Sequence, residues 1–313
     1  MKLLILTLGL LVGAYARGDK CRALALAGGD DNGAFQAGAV MGLIESLPHG
    51  EAQWDVVTGN GAGAINALIV SQYAKNEESQ VHSALNDFWT NFNKKMFYKD
   101  WFGWYFTGLT EKSGLYDSSP MKDTIDSLFK NDPKRFLGVG ATDLISGVYV
   151  FFNSTTQTKE TLETGIMASA AMSGFFPYVS YKNYQLLTGA IKFSVDILHA
   201  VNGCYEKGYN FADISVDVVM LSNKKLKKVD ASDYLTIDSA LRYLAITSYD
   251  GTMQVYNNAK HDFPEVEFRS LIFPTQDLPD PAFPYDFNSD DLQQSIALGI
   301  SDAKKAISME KYQ

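Results

Sequence analysis

Residues 54–75 restrict the fold of this chain more than any other segment, because an apolar run stops there at a cluster of glycines. The segment reads WDVVTGNGAGAINALIVSQYAK. Its β-branched start predicts a strand over residues 54–58, and the small residues after Gly63 predict a helix from Ala64 onward. A strand, a glycine turn and a helix in this order are typical of an α/β protein with a parallel sheet.

The same order occurs once before this segment, and strands and helices alternate through the rest of the chain. CRALALA at 21–27 predicts a buried strand, and the glycines after it lead into a predicted helix at 34–47. Further strands are predicted at 136–141, 147–152, 214–221 and 266–273, and further helices at 83–93, 166–171, 196–207, 236–248 and 290–307. We therefore expect an α/β fold with a mostly parallel central sheet flanked by helices. No linker divides the chain, so we expect one domain.

Two kinds of site use a glycine turn between a strand and a helix. The sequence GNGAGA at 59–64 fits the dinucleotide-binding pattern, in which a pyrophosphate lies at the helix N-terminus. That pattern needs an acidic residue after a further strand, whereas the glutamates at 77–78 directly follow the helix. The other kind of site is the nucleophile elbow, G-x-S-x-G. Gly59 and Gly63 then hold the flanking positions, and Gly61 stands where the serine should be.

Three segments in this chain resemble, in order and spacing, the motifs of the patatin-like phospholipase family. That family has a G-G-G-x-[RK]-G oxyanion loop, then G-x-S-x-G followed by A-I-N-A, then D-G-[GA]. The segments here are GGDDNGAFQAG at 28–38, TGNGAGAINA at 58–67 and LTGA at 187–190. The resemblance covers about residues 22–221 and implies a three-layer α/β fold with lipid acyl hydrolase activity in intact members. Residues 222–313 are then a C-terminal extension packed on this fold.

The residues to which the resemblance assigns catalysis are replaced. The family's nucleophilic serine corresponds to Gly61, and the aspartate that activates it corresponds to Thr188. Glycine has no nucleophilic side chain, and threonine is not a base near neutral pH. We therefore predict that no catalytic residue is intact and that the protein is a pseudo-phospholipase, acting as a lipid-binding or protein-interaction module. The alternative is an active lipid acyl hydrolase, of the phospholipase A esterase type, with displaced catalytic residues.

The oxyanion loop also departs from the family pattern. Gly28, Gly29 and Gly33 are retained, but Asp30 replaces the third glycine and Asn32 replaces the basic residue. Oxyanion stabilisation requires positive potential where charge develops, and Asp30 adds a negative charge that no cation at position 32 offsets. If that carboxylate faces the pocket it opposes an oxyanion or a lipid phosphate, and if it faces solvent it does not. The sequence leaves both orientations open.

Other reactive residues show no second site in the sequence. The histidines at 49, 82, 199 and 261 lack metal-ligand spacing, so we expect no metal and no cofactor. Asp196, eight residues after Thr188, has no dyad role in the family. The net charge of −9 argues against nucleic acid and against electrostatic docking on anionic lipid. The aromatic segment FYKDWFGWYFTGL at 97–109 is either a buried cluster or a surface that meets lipid or a protein partner.

The N-terminus has the features of a secretory signal peptide. Lys2 precedes an apolar run at 3–12, and an Ala-Tyr-Ala site ends at Ala16. We predict cleavage after Ala16, a mature chain of residues 17–313, and a location outside the cell or in the lumen of the secretory pathway. No other apolar run has the roughly 20 residues needed to span a bilayer.

Two further features depend on that location. Cys21 and Cys204 are the only cysteines. In an oxidising compartment they either pair as a disulfide or remain two buried thiols. Asn153-Ser154-Thr155 is an N-glycosylation acceptor sequence, so Asn153 is a candidate glycosylation site.

Overall fold

A computed structural model of the protein describes residues 20–28, 32–279 and 283–310. Eight strands form one sheet: β1 Cys21–Leu26, β2 Val56–Gly59, β3 Phe136–Asp143, β4 Tyr149–Asn153, β5 Val179–Tyr181, β6 Tyr184–Thr188, β7 Ile214–Val219 and β8 Glu267–Ile272. The strand order is β5-β6-β3-β2-β1-β7-β8, and β4 also pairs with β3. The predicted signal peptide, Gly29 and Asp30 lie outside the described residues.

The core of the sheet is parallel. Five strands, in the order β3-β2-β1-β7-β8, run parallel to one another. At the β3 end, β4 and β6 run antiparallel to β3, and β5 runs antiparallel to β6. Almost every residue of the central strands is buried. Parallel strands are covered on both faces, which is why these sequences are apolar without alternation.

Helices cover both faces of the sheet. Within the described residues they are α1 Gly33–Ser46, α2 Ala62–Ser71, α3 Glu78–Thr90, α4 Trp104–Thr110, α5 Ser119–Leu128, α6 Lys159–Ala170, α7 Ile197–Glu206, α8 Thr236–Asp262 and α9 Ser289–Glu310. One core cluster joins the sheet to α1, α2, α6 and α9, and a second joins it to α7 and α8. This arrangement confirms the predicted α/β fold with a mostly parallel sheet between two helical layers.

Residues beyond the family-like segment are part of the same sheet and core. Strand β8 extends the sheet beside β7, and α9 lies directly on α1. The two helices approach so closely that a Cβ added to Gly38 would stand 2.2 Å from the carbonyl oxygen of Ile296. A Cβ on Gly299 would likewise stand 2.1 Å from the oxygen of Phe35. Small residues therefore set the spacing between α1 and α9.

A disulfide joins the first strand to the second helical layer. Cys21 at the start of β1 is bonded to Cys204 in α7, with 5.8 Å between the Cα atoms and 183 residues between them in sequence. Both side chains are fully buried.

Helix α8 is the longest helix described, and it is twice the length that its sequence predicts. Its C-terminal half packs through Thr252, Tyr256 and Ala259, which are buried. Residues 236–251, here called the α8 arm, are mostly exposed. Because α8 connects two parallel strands, β7 and β8, its N-terminal half lies at the same edge of the sheet as the ends of β1 and β2. No helix in the described part of the chain has the length and hydropathy needed to cross a bilayer.

Candidate functional site

The glycine turn after β2 has the backbone of a nucleophile elbow. Gly59 ends β2, and Gly61 caps α2 with φ 56° and ψ −128°. Residues with a side chain rarely adopt this conformation, and a nucleophile elbow holds its serine in such a strained strand-to-helix turn. The Gly61 N–H donates to the Ser169 hydroxyl at 3.1 Å. Gly61 therefore has the backbone conformation of a tight strand-to-helix turn and carries no side chain.

Close contacts explain the flanking glycines. A Cβ on Gly59 would stand 2.1 Å from the carbonyl oxygen of Gly63. One on Gly63 would stand 2.6 Å from the oxygen of Leu26, at the end of β1. The start of α2 is thus pressed against two strand ends, and these glycines are needed for packing whether or not the turn carries out chemistry.

Thr188 lies next to this elbow. It ends β6, and its hydroxyl accepts a 3.3 Å hydrogen bond from the Ala190 N–H in the short turn that follows. A Cβ on Gly189 would stand 2.9 Å from the Asn60 side-chain oxygen, so this turn touches the elbow. The structure therefore brings Gly61 and Thr188 to the same edge of the sheet.

Asn60 connects the elbow to three other segments. Its buried side chain donates to the carbonyl oxygen of Phe193 at 2.6 Å and accepts from the Gly140 N–H at 3.0 Å. The Tyr149 hydroxyl lies 3.1 Å from its oxygen. These contacts fix the elbow against β3, β4 and the segment after Thr188.

A polar cluster that the sequence did not predict continues from Asn60. The Tyr149 hydroxyl donates to Asp196 at 2.6 Å, and the His199 ring nitrogen Nδ1 lies 2.8 Å from the other Asp196 oxygen. Asp196 is buried, and the His199 ring stacks on Phe151 with 3.8 Å between centroids. Burial and the Asp196 charge raise the pKa of Tyr149 well above its ordinary value. The only sequence signal was the Asp196-x-x-His199 spacing at a helix start.

The described part of the oxyanion loop offers little to a substrate. The Gly28 N–H donates to the carbonyl oxygen of Ser194 at 2.6 Å and is therefore not free to bind an oxyanion. Asn32 is buried, and its amide donates to the Pro279 oxygen at 3.3 Å. Gly33 begins α1 against the Trp89 ring. Of the described residues, no group of three or more His, Cys, Asp or Glu side chains is placed to hold a metal ion.

A cavity of about 410 Å³ lies beside Thr188, between the segment 188–194 and the α8 arm. Ser173 also lines it. A larger groove of about 830 Å³, lined by Gln72 and Phe88 among others, includes neither Gly61 nor Thr188. The smaller cavity therefore includes Thr188 in its lining, but it does not include Gly61.

The aromatic segment divides between the two predicted roles. Phe97 and Tyr98 are buried in the core, where Phe97 packs edge-on against Tyr285. Phe102 and Phe106 are exposed, at 102% and 72%. The first residues of the segment 97–109 are thus part of the core, and its later residues form an apolar surface.

Comparison with known proteins places this arrangement in a family. The family model described as patatin-like phospholipase matches residues 24–201, which is 178 of the 313 residues. The chain therefore belongs to the patatin-like phospholipase family. It is also similar to the crystal structure of VipD from Legionella pneumophila, with 10% identity and a TM-score of 0.44 over 93% of this chain and 67% of that chain. No protein with a curated description matches the chain.

Proposed function

We propose that this protein is a catalytically inactive member of its family that binds lipid without cleaving it. The observation that carries the proposal is Gly61, which holds the backbone position of the nucleophile in an otherwise intact elbow. In a serine hydrolase, loss of the nucleophile alone costs about a million-fold in kcat. Thr188, at the position of the activating aspartate, supplies no base, and the Gly28 N–H is already bonded.

Two observations support lipid as the ligand. The family acts on lipids, and apolar side chains, among them Met172, Ile191 and Leu244, line part of the cavity beside Thr188. A site that has lost its chemistry retains affinity if its walls remain, because binding and bond cleavage depend on different groups.

Activity and binding should be measured on the purified mature protein. We expect no hydrolysis of short-chain p-nitrophenyl esters or phosphatidylcholine above the buffer rate. We expect fatty acid or lysolipid to raise the melting temperature, because a ligand that binds only the folded state stabilises it. Gly61→Ala is the matched control for activity: it adds no nucleophile and should be as inactive as the wild type, although backbone strain at this position lowers its stability. A flat thermal response to every lipid class would contradict lipid binding and leave a protein partner, for which the exposed Phe102 and Phe106 are the candidate surface.

A second candidate function rests on the cluster beside the elbow. The Asp196–His199 pair, with Tyr149 hydrogen-bonded to Asp196, has the residue types of a general-base site in a displaced hydrolase. No serine, threonine or cysteine in the described part of the chain hydrogen-bonds to His199. For this candidate, ester turnover should be measurable and should disappear in Asp196→Asn and His199→Gln. Absence of turnover contradicts it.

Export and glycosylation complete the proposal. We infer from the residues before Arg17 that the mature chain begins there and enters the secretory pathway. A disulfide between Cys21 and Cys204 suits that compartment. Asn153 lies at the turn after β4, where its side-chain oxygen accepts hydrogen bonds from the N–H groups of Thr155 and Thr156. Mass spectrometry of the native protein should find Arg17 as its first residue and a glycan on Asn153, and an intact Met1 would contradict export.

A further inference from the structure

The cavity beside Thr188 has a composition that suits a particular chemical group. Six hydroxyl side chains line it: Ser173, Thr188, Ser194, Thr247, Ser248 and Thr252. Among the described residues that line it, Lys192 carries the only charge and none is a carboxylate. A cavity with many hydroxyl donors and one cation favours an anion.

Ser194 is the strongest sign that a ligand belongs there. Its side chain is only 8% exposed, and its hydroxyl has no hydrogen-bond partner within the described part of the chain. A buried hydroxyl without a partner is destabilising, and of the five such hydroxyls among the described residues Ser194 is the one that lines this cavity. The backbone oxygen of the same residue accepts from Gly28, which fixes the segment in place.

Lys192 and Thr188 determine the charge of the cavity. Lys192 is exposed and forms no ion pair with any residue that the structure describes. An aspartate at position 188 would repel an anion in this cavity, whereas Thr188 does not. The substitution that removes the base therefore also makes the cavity tolerant of negative charge.

An apolar track leads out of the cavity along the α8 arm. Ile237, Leu241 and Leu244 are spaced by four and three residues, so they lie within an arc of about 60° on one face of the helix. Leu244 lines the cavity, while Leu241 and Ile237 are 59% and 73% exposed. Ile246 lies on the opposite face, about 180° from Ile237.

We propose that the cavity binds the carboxylate of a long-chain fatty acid at Lys192 and Ser194, with the acyl chain along Leu244, Leu241 and Ile237. This assignment rests on the proposed lipid-binding function and specifies its ligand. A single lysine matches the single charge of a carboxylate, whereas a phosphate monoester carries about 1.5 to 2 negative charges near pH 7.

The head-group contacts are tested by calorimetric titration of the mature protein with laurate, 1-dodecanol and dodecyl phosphate below their aggregation limits. Laurate should bind about tenfold more tightly than dodecanol, as expected for one charge-assisted contact. Lys192→Gln should remove that advantage without changing dodecanol affinity, and Lys95→Gln, which alters an exposed lysine outside the cavity, should change neither. Ser194→Ala should weaken laurate binding several-fold while leaving the melting temperature of the free protein unchanged or higher.

The acyl track is tested by chain length. From octanoate through decanoate to laurate, affinity should rise up to about fourfold for each methylene that becomes buried. Leu241→Gln should flatten this increase, whereas Ile246→Gln, on the opposite face, should preserve it. Equal effects of the two substitutions would overturn the track.

The remaining outcomes separate this assignment from the proposed function. Laurate binding no tighter than dodecanol, or unaffected by Lys192→Gln, overturns the carboxylate site, and tighter binding of dodecyl phosphate assigns the cavity to a phosphate instead. If laurate does not bind and no ester is cleaved, the carboxylate site fails while catalytic inactivity stands. Tight laurate binding together with ester cleavage would support the site and contradict inactivity.

Discussion

Gly28 and Asn60 touch backbone to backbone at the ends of neighbouring parallel strands. A Cβ on Gly28 would stand 2.4 Å from the carbonyl oxygen of Asn60 and 2.9 Å from the nitrogen of Gly61. Gly28 therefore rests directly on the elbow. The ends of β1 and β2 are held in contact at this point.

We predict that Gly28→Ala lowers the free energy of unfolding by about 1–3 kcal/mol, because the added methyl group overpacks this contact. Gly251→Ala is the matched control. That glycine lies in the exposed part of α8 with nothing within 4 Å of an added Cβ, so alanine should raise stability by up to about 1 kcal/mol. Urea unfolding measures the free energy of unfolding of both variants. Equal changes in that free energy would contradict the close contact at Gly28.

Gly61→Ser should be less stable than the wild type and equally inactive. A residue with a side chain at φ 56° and ψ −128° costs about 1–3 kcal/mol in strain. Because the serine would lack its activating partner at Thr188, we expect no measurable ester hydrolysis. Gly61→Ala should show a similar loss of stability, which separates backbone strain from any effect of the hydroxyl. Denaturant unfolding and an ester assay measure both.

Restoring the family residues together should recover weak hydrolysis. We expect the variant with Gly61→Ser, Thr188→Asp, Asp30→Gly and Asn32→Arg to cleave short-chain p-nitrophenyl esters, although no single substitution does, because the groups act as one unit. Asn32→Arg also removes the amide bond to Pro279, so circular dichroism must show that the variant folds. A folded but inactive variant would mean that the pocket has been remodelled beyond these four positions.

Replacing both disulfide cysteines by alanine should lower the free energy of unfolding by about 2–5 kcal/mol. The bond between Cys21 and Cys204 closes a loop of 183 residues, which restricts the unfolded chain strongly. The free energy of unfolding of the wild type should fall by a similar amount when a reducing agent is added. The reducing agent should not change the free energy of unfolding of the variant that lacks both cysteines, and a change there would mean that it acts on something other than the disulfide.

Tyr149 should make the wild type sensitive to alkaline pH. Its folded pKa is raised well above the ordinary value of 10.0, so its contribution to stability is complete below about pH 10 and is lost as the pH rises above that value. Tyr149→Phe should be less stable by about 1.5–3 kcal/mol at pH 8, because a hydrogen bond to a charged group is lost. The difference in free energy of unfolding between the wild type and Tyr149→Phe should become smaller between pH 10 and 11.5 in urea titrations. A difference that stays constant over this range would contradict the raised pKa.

Local patterns were sufficient to predict the elbow and its neighbours. Glycines at 59, 61 and 63 after a β-branched run indicate a tight strand-to-helix turn. The close contacts that require these glycines are made within the turn itself or with the end of the neighbouring strand β1. Thr188 lies beside the elbow in the structure, and its assignment to the family's aspartate position came only from the order and spacing of the motifs and stays a prediction. Nothing in its own sequence surroundings indicates that proximity.

Contacts between distant segments could not be predicted from the sequence. Tyr149 meets Asp196, 47 residues away, because β4 runs antiparallel to β3 in a particular register. The N–H of Gly28 donates to the carbonyl oxygen of Ser194, and that partner depends on how a later turn folds back. The full length of α8 was missed because Asp250-Gly251 resembles a helix end, although one glycine costs a helix only about 1 kcal/mol.

The covalent link between Cys21 and Cys204 encloses the entire segment that matches the family, residues 24–201. A protease that cuts anywhere inside this loop leaves the two fragments attached through sulfur. Such a nicked molecule keeps its strands paired at both ends of the cut and migrates as one chain until it is reduced. In a compartment rich in proteases, the fold would therefore survive single cleavages in its surface loops, with Gly61 and Thr188 still held in one covalently linked molecule.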